Sequence, residues 1–393
     1  MSSFVAQGVL KQHSIGEETT FDTAQAPVAG DAIKLAHESG LILQPDRGYD
    51  EVQEAVGTAS LQDVRLGARS GKWTAAALLR TAAAGTAPGW RKLAKAAFGV
   101  ETVNGGTSVV YSLSDDNTNS LVLRQAAGNM YYQEGRGAWC ESFDLDYQAN
   151  QIPKLNFGGG YATHVHVMRP TVGPAGAAIS ATTVPLTSGH DGGILEGARV
   201  TIGGSTNSGN GHLVTDVDID AGTIEVSPGL TAEVSSGDAI IQVWPSPTYV
   251  SDTALAGTKQ LLTIDGVTVG VQQAKITLAT GVHGLDKTSD RADRLSRADR
   301  RLTYDFLAYY LTGSQAAIVG KSWGKSDDTP YPRDIDLRLG VDSAGKRAKF
   351  SIPAGICRVT EINLPGSEVA MISIVGTAKQ NSAALDEFTL TLD

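Results

Sequence analysis

Asp144 and Asp146 stand two residues apart in the alternating run Ser142-Phe-Asp-Leu-Asp146, so on a strand their side chains share one face. Paired carboxylates are the equipment of general acid–base catalysis. No nucleophile or cleft signal accompanies them, and a solvated strand face accounts for them better. Glu361 and Asn363 hold the matching places in a second, similar stretch. His164 and His166 share a strand face at a spacing that can ligate zinc, but no Cys, Asp or Glu cluster stands nearby in sequence to complete a site. Asp216, Asp218 and Asp220 have the spacing of a calcium loop. The glycine falls one place late at Gly222 and no Glu closes the loop, so a β-hairpin is the better account. Gly158-Gly-Gly160 lacks the Lys-Ser/Thr and helix of a phosphate loop and reads as strand-end flexibility. Arg291, Arg294, Arg297 and Arg300 recur every three residues and Arg301 follows. Asp290, Asp293 and Asp299 interleave with them, which dilutes a field for nucleic acid and favours salt bridges. An exposed loop or arm that pairs with a neighbouring molecule is the preferred reading.

These residues sit on a duplicated frame. Gly137–Tyr161 and Ala354–Ala378 carry the same apolar pattern without a gap, 217 residues apart. Cys140 falls on Cys357, Trp139 on Ile356, Leu145 on Ile362, Leu155 on Ile372, Phe157 on Ile374 and Gly159 on Gly376, while Asp144 meets Glu361. A repeat on this scale implies two similar domains in one chain. It also favours assembly through repeated surfaces, because catalysis needs only one site. Cysteines at equivalent points of separate domains are too far apart to bridge, so buried free thiols are expected.

Composition narrows the classes further. The chain has 393 residues, room for two or three domains, and 45 glycines, which favour turns and β architecture. Charged residues are 19%, fewer than the roughly 25% of a typical soluble domain, as fits a surface covered by neighbours. The net charge of -10 repels phosphates, which argues against tight nucleic-acid binding but suits a surface past which DNA slides. Residues 1–10 lack the pattern of a signal peptide, and no apolar run is long enough to span a membrane.

Periodicity predicts a short helix over Asp31–Gly40 within an arm of residues 1–45, and a strand over Ala59–Leu66. Lys72–Ala83 is alanine-rich, but its counterpart Leu302–Leu311 is rich in aromatics, so both read as strands. Pro88–Gly99 is the best helix, with Trp90, Leu93, Ala94, Ala97 and Phe98 on one face. The second half has no clear match to it. Strands are expected at 108–113, 120–125, 138–147 and 154–167. Between Val172 and Pro247 short alternating strands and Gly/Ser turns read as a small inserted all-β module. The second repeat resumes near Leu261; Ala274–Leu278 is aligned with Gln62–Leu66 and Leu337-Arg338 with Leu123-Arg124.

The order of strand, Pro-led helix ending Ala97-Phe-Gly-Val100, the strand Ser120–Arg124, and the Gly-Ala-x-Cys strand leading into Ser142–Asp146 resembles the tail tube proteins of long-tailed, non-contractile bacteriophages. The likeness covers roughly residues 45–170 and 250–393, in the form with two fused tube domains. It implies a mainly β fold: two tandem antiparallel β-sandwich or barrel domains, at 46–171 and 249–393, with a flanking helix. The inserted module at 172–248 would decorate the outside. It implies stacked rings of three copies with pseudo-sixfold symmetry, forming a hollow tube in the virion tail through which DNA passes. It also implies assembly in the host bacterial cytoplasm, and tape measure, tail terminator and distal tail proteins as partners. No catalytic role, cofactor, metal or membrane is expected. On this reading Asp144, Asp146 and Glu361 face the lumen, and Arg291, Arg294, Arg297, Arg300 and Arg301 contact the next ring. The alternative is a β-rich adhesion or carbohydrate-binding module.

Overall fold

The computed structural model describes residues 11–23, 25–36, 40–52, 63–128, 131–190, 193–285, 292, 294–310, 316–322, 324, 329–363, 370–380 and 387–393, with backbone alone over 47–52 and 63–69. The first part contains β1 (Lys11–Glu17), β2 (Leu41–Val52), β3 (Asp63–Leu78), β4 (Arg80–Thr81), helix α1 (Arg91–Phe98), β5 (Gly99–Asn104) and β6 (Ser108–Leu113). It continues through β7 (Leu121–Ala127), β8 (Tyr131–Ala138), β9 (Ser142–Gln148), β10 (Lys154–Tyr161) and β11 (Thr163–Val167). A middle segment adds β12 (Thr183–Pro185), β13 (Arg199–Ile202), β14 (His212–Asp218), β15 (Thr223–Ser227) and β16 (Ile240–Gln242). The last part opens with β17 (Thr253–Ala254), β18 (Gln260–Ile264), β19 (Val267–Val269), β20 (Val271–Ala279), β21 (Val282–Leu285), β22 (Arg294–Arg297) and β23 (Arg301–Tyr309). Helix α2 (Ala316–Lys321), β24 (Pro332–Gly340), β25 (Arg347–Asn363), β26 (Met371–Ala378) and β27 (Thr389–Leu392) complete it. The fold is mainly β, and every strand pairing is antiparallel.

One topology occurs twice. In the first part β1-β7-β8-β11 form one layer and β9-β10-β3-β2 run side by side in the other. In the last part β18-β24-β25-β27 and β25-β26-β23-β20 repeat both orders. The single long β25 does the work of β8 and β9, which a break at Trp139-Cys140-Glu141 separates. The register repeats as well. Leu145 pairs with Leu155 as Ile362 pairs with Ile372, and Asp144 with Asn156 as Glu361 with Ser373. A bulge between Val359 and Glu361 then shifts the second hairpin by one residue.

Low identity between the repeats has a packing reason. Ala75 lies between Leu41 and Phe157; its equivalent Phe306 lies between Ala274 and Ile374. The bulk moves from the flanking strands to the middle one, so volume is conserved while sequence is not. This also explains why the alanine-rich run is a strand: its small side chains face bulky partners. Two glycines are invariant across the repeats for a backbone reason. A Cβ on Gly159 would lie 2.0 Å from the Trp139 carbonyl oxygen, and one on Gly376 would lie 2.3 Å from that of Ile356.

Helix α1 buries Leu93, Ala94, Ala96, Ala97 and Phe98, and Gly99 ends it at φ 106°. Phe98 sits 4.9 Å from Phe143 and 5.5 Å from Phe388 between ring centroids, so one core joins both repeats. The second half does contain a counterpart. Helix α2 lies between β23 and β24 as α1 lies between β3 and β7, with Ile318 buried and Arg333 donating to the Ile318 carbonyl at 2.9 Å. It is one short turn-and-a-half, too brief for an amphipathic period, which is why sequence missed it. The helix expected over Asp31–Gly40 is absent from the described part; only Ala29–Asp31 forms a 3-10 turn. The Ile33 amide instead donates to the His13 carbonyl at 3.1 Å, tying this stretch to β1. The structural partner of β20 is β2, not the region of Gln62–Leu66: Ile276 and Leu43 lie opposite the equivalent residues Tyr304 and Trp73.

Strands β12 to β16 form a separate sheet in the order β12-β15-β14-β13-β16. Its core of Val184, Val200, Val214, Ile224 and Ile240 rests on Tyr132, Val165 and Val167 of β8 and β11. Below this contact Glu134 is buried between Arg124 and Arg136, and Arg136 reaches the Gly197 carbonyl at 2.6 Å.

Candidate assembly surface

The two repeats meet edge to edge. Strand β9 pairs with β20 from Ser142↔Ala279 to Gln148↔Gln273, so β2-β3-β10-β9-β20-β23-β26-β25 run as one continuous sheet of eight strands. Side chains reinforce the seam. Thr277 donates from Oγ1 to Asp144 at 2.6 Å, Thr280 from Oγ1 to the Cys140 carbonyl at 2.6 Å, and Tyr147 to the Gly257 carbonyl at 3.1 Å. In the other layer β27 of repeat two pairs with β6 of repeat one. Among the described residues repeat two has no hairpin matching β5–β6.

The ends of this eight-stranded sheet differ from its middle. Among the described residues β2 pairs only with β3, and the last residues of β25, Glu361–Asn363, pair only with β26. These borders are the equivalents of β20 and β9, the two strands that join within the chain. Leu145 of β9 is 0% exposed, whereas its equivalent Ile362 is 48% exposed. An apolar residue on an unpaired strand edge is a template for another strand.

The face turned away from the core carries Asp144, Asp146 and Glu361, as the alternation requires. Their neighbours come from register and were not legible in sequence. Lys154, Asp146, Lys275 and Asp305 lie side by side across four strands, a ladder of alternating charge. Over the eight strands Lys72, Lys154, Lys275, Arg301 and Arg358 offset Asp46, Asp144, Asp146, Asp305 and Glu361 among the described residues. The face is therefore charge-balanced rather than acidic, unlike the chain as a whole at -10.

Beyond β20 the chain turns into the β21–β22 hairpin, which packs on repeat one. Val282 and Ala292 bury Trp139 together with Ala162. Trp139 lies across Gly160, where a Cβ would come within 2.2 Å of its ring, and Trp73 donates from Nε1 to the Trp139 carbonyl at 3.0 Å. The glycines of Gly158–Gly160 thus make room for an indole and a carbonyl within β10, and are not strand-end flexibility. The arginine run sits on this hairpin. Arg297 reaches Asp115 at 3.3 Å, and Arg300 reaches Asp115 at 3.5 Å and Glu387 at 2.5 Å, pairs made within the chain. Arg294 is exposed at the start of β22, Arg301 is exposed on the open face of β23, and Arg291 lies outside the described residues.

Where repeat one has Trp139, repeat two has Ile356 and an open cleft of about 660 Å³. It is lined by Ile356, Cys357, Arg358 and Thr377, and by Lys321 at the end of α2 with Pro330 and Tyr331 beyond it. Lys275, Arg301 and Asp305 line it as well.

The remaining candidates resolve quietly. His164 and His166 lie 5.8 Å apart between ring centroids, and burial, then the neighbouring His166, pushes His164 down to about 4. Among the described residues no group of three His, Cys, Asp or Glu is placed to hold a metal ion. Asp216 and Asp218 belong to the β14–β15 hairpin, where Asp218 accepts the Ala221 amide at 2.9 Å. Cys140 and Cys357 are both free and buried, and burial pushes the Cys140 thiol up to about 12. Among the described residues no helix is long and apolar enough to cross a membrane. No protein-family model matches the chain, and no curated protein matches it.

Proposed function

We propose that this chain is a structural protein that polymerises as stacked rings into a hollow tube, the tail tube of a long-tailed bacteriophage, rather than an enzyme. One observation carries the reading: the chain joins its own two repeats through β9 and β20, and among the described residues leaves the equivalent edges, β25 and β2, open at opposite ends. A head-to-tail contact that repeats this seam closes by rotation into a ring. Three copies, each supplying eight strands, give a closed barrel of about two dozen strands and no remaining edges. The same six-repeat ring would need six copies of a single-repeat chain.

The open face of the sheet, outside the cleft beside Ile356, then lines the channel. Its interleaved charges give a passing phosphate backbone neither a cationic strip to bind nor a uniform anionic wall. The inserted sheet rests on the opposite layer, over Tyr132 and Val165, and so decorates the outside. On this reading the protein resides in the virion tail, assembles in the host bacterial cytoplasm, and meets tape measure, terminator and distal tail proteins at its inner surface and ends. Electron microscopy of the purified protein tests the reading. Rings or tubes with a central channel and three copies per ring are expected. Dispersed monomers at high concentration contradict it, and monomers that bind glycans would favour an adhesion module instead.

A further inference from the structure

The cleft beside Ile356 and Cys357 has an occupied twin in the same molecule. In repeat one the equivalent place, around Trp139 and Cys140, is covered by β21–β22, the hairpin that leads out of β20. Strand β2 up to Asp46 is the equivalent of β20, so the paired extension of β2 and β3 beyond Asp46 is the counterpart of that covering hairpin. The shared register sets Arg47-Gly48 on Thr280-Gly281. In repeat two β20 and β23 stop pairing at Ala279↔Arg301 and the chain bends onto Trp139. In repeat one β2 and β3 keep pairing beyond Pro45↔Gly71, where β10 ends, out to Val52↔Asp63. The hairpin projects past the sheet with no strand of its own chain beside it among the described residues.

We propose that the cleft at Ile356, Cys357 and Arg358 is the seat of the β2–β3 hairpin of a second copy, a site that rests on the ring reading above and specifies its contact. The geometry of the occupied twin assigns the pairs. Ala279 lies opposite Ser142 within the chain, so Asp46 of one copy lies opposite Arg358 of the next. Charge agrees. Asp46 of β2 brings a carboxylate to the contact. The cleft presents Lys275, Arg301, Lys321 and Arg358 against Asp305. Shape agrees too. Repeat one fills its site with the Trp139 indole and needs only a short hairpin to cover it. Repeat two has the smaller Ile356 and leaves about 660 Å³ for a longer one.

A charge swap on the full-length chain tests this. Asp46 and Arg358 are both exposed, so neither D46R nor R358E disturbs the core. Each single change is expected to raise the concentration for half-assembly about tenfold in sedimentation velocity. The double change D46R/R358E restores it to within about threefold, because the pair is remade with its signs exchanged. A second variant replaces residues 48–68 by Asn-Gly, a two-residue turn that suits the continuing β2–β3 register. It is expected to weaken assembly about tenfold, and adding R358E should weaken it further, because Asp46 is still present to lose its partner. Wild-type rings with no rescue by the swap, or with the truncated hairpin assembling normally, overturn the seat and leave the ring reading standing. A wild-type chain that stays monomeric overturns both.

Discussion

Leu145 and Ile362 hold one place in two hairpins of the same register, yet the first is 0% exposed and the second 48%. The difference lies in what stands beside them. Leu145 has β20 across the seam and β6–β27 closing the layer behind; Ile362 ends a strand whose outer edge meets nothing within the described chain. Trp139 and Ile356 make the same contrast, one covered by a hairpin and the other lining a cleft. A repeat whose border is finished and a repeat whose border is open, on one polypeptide, amount to an interface and its unpaired complement.

The sharpest way to break this comparison is to charge both positions. Leu145→Asp places a carboxylate in the closed seam and should cost about 5 kcal/mol, enough to unfold the chain in urea titration. Ile362→Asp should change monomer stability by no more than about 0.5 kcal/mol and still abolish pelleting of assembled material. Equal losses at the two sites would erase the distinction. Truncation gives a graded version. Trp139→Ala should cost about 4 kcal/mol, whereas Ile356→Ala should cost about 1 kcal/mol, both read from denaturation midpoints.

A third contrast concerns how two carboxyl groups are partnered. Glu18 follows β1 as Asp265 follows β18. Asp265 meets Lys321 at 3.0 Å, while Glu18 accepts the Gly137 amide at 2.9 Å and burial raises it to about 7 from an ordinary 4.5. A carboxyl raised in the fold binds its proton more tightly there than in the unfolded chain. Its contribution is therefore fully present below about 4.5, falls as the pH rises toward 7, and is gone above it. Unfolding free energy should fall by about 2 kcal/mol across that window, and Glu18→Gln should flatten the profile. The smallest effect belongs to the charge ladder. Lys275→Glu should cost about 0.5 kcal/mol at low salt, and less at high salt, because its partners are exposed.

Much of the fold could be read from spacing. The gapless match of Gly137–Tyr161 to Ala354–Ala378 is a shared hairpin register, and the two glycines in it are fixed by carbonyls of the adjoining strand. The α1 stripe was legible because five apolar residues recur at a helical period. What escaped was set by partners distant in sequence. Helix α2 is too short to show a period. The lysines that neutralise Asp146 lie across strand pairings at Lys154 and Lys275. Arg297 and Arg300 find Asp115 and Glu387 far along the chain. The exposure of Ile362 is invisible in sequence, since its residue type is that of a core position.

The proposed ring requires β2 of one copy to pair with β25 of the next in the register that β20 keeps with β9. Thr277 and Asp144 touch at 2.6 Å across the internal seam, and their equivalents are Gln44 and Glu361. Cysteines placed at both positions, with mild oxidation and mass spectrometry of the linked peptides, measure that register directly. The account predicts disulfides between chains that build dimers and then closed trimers, absent from either single variant. Assembled protein whose Gln44→Cys and Glu361→Cys thiols stay reduced, or link within one chain, would contradict it.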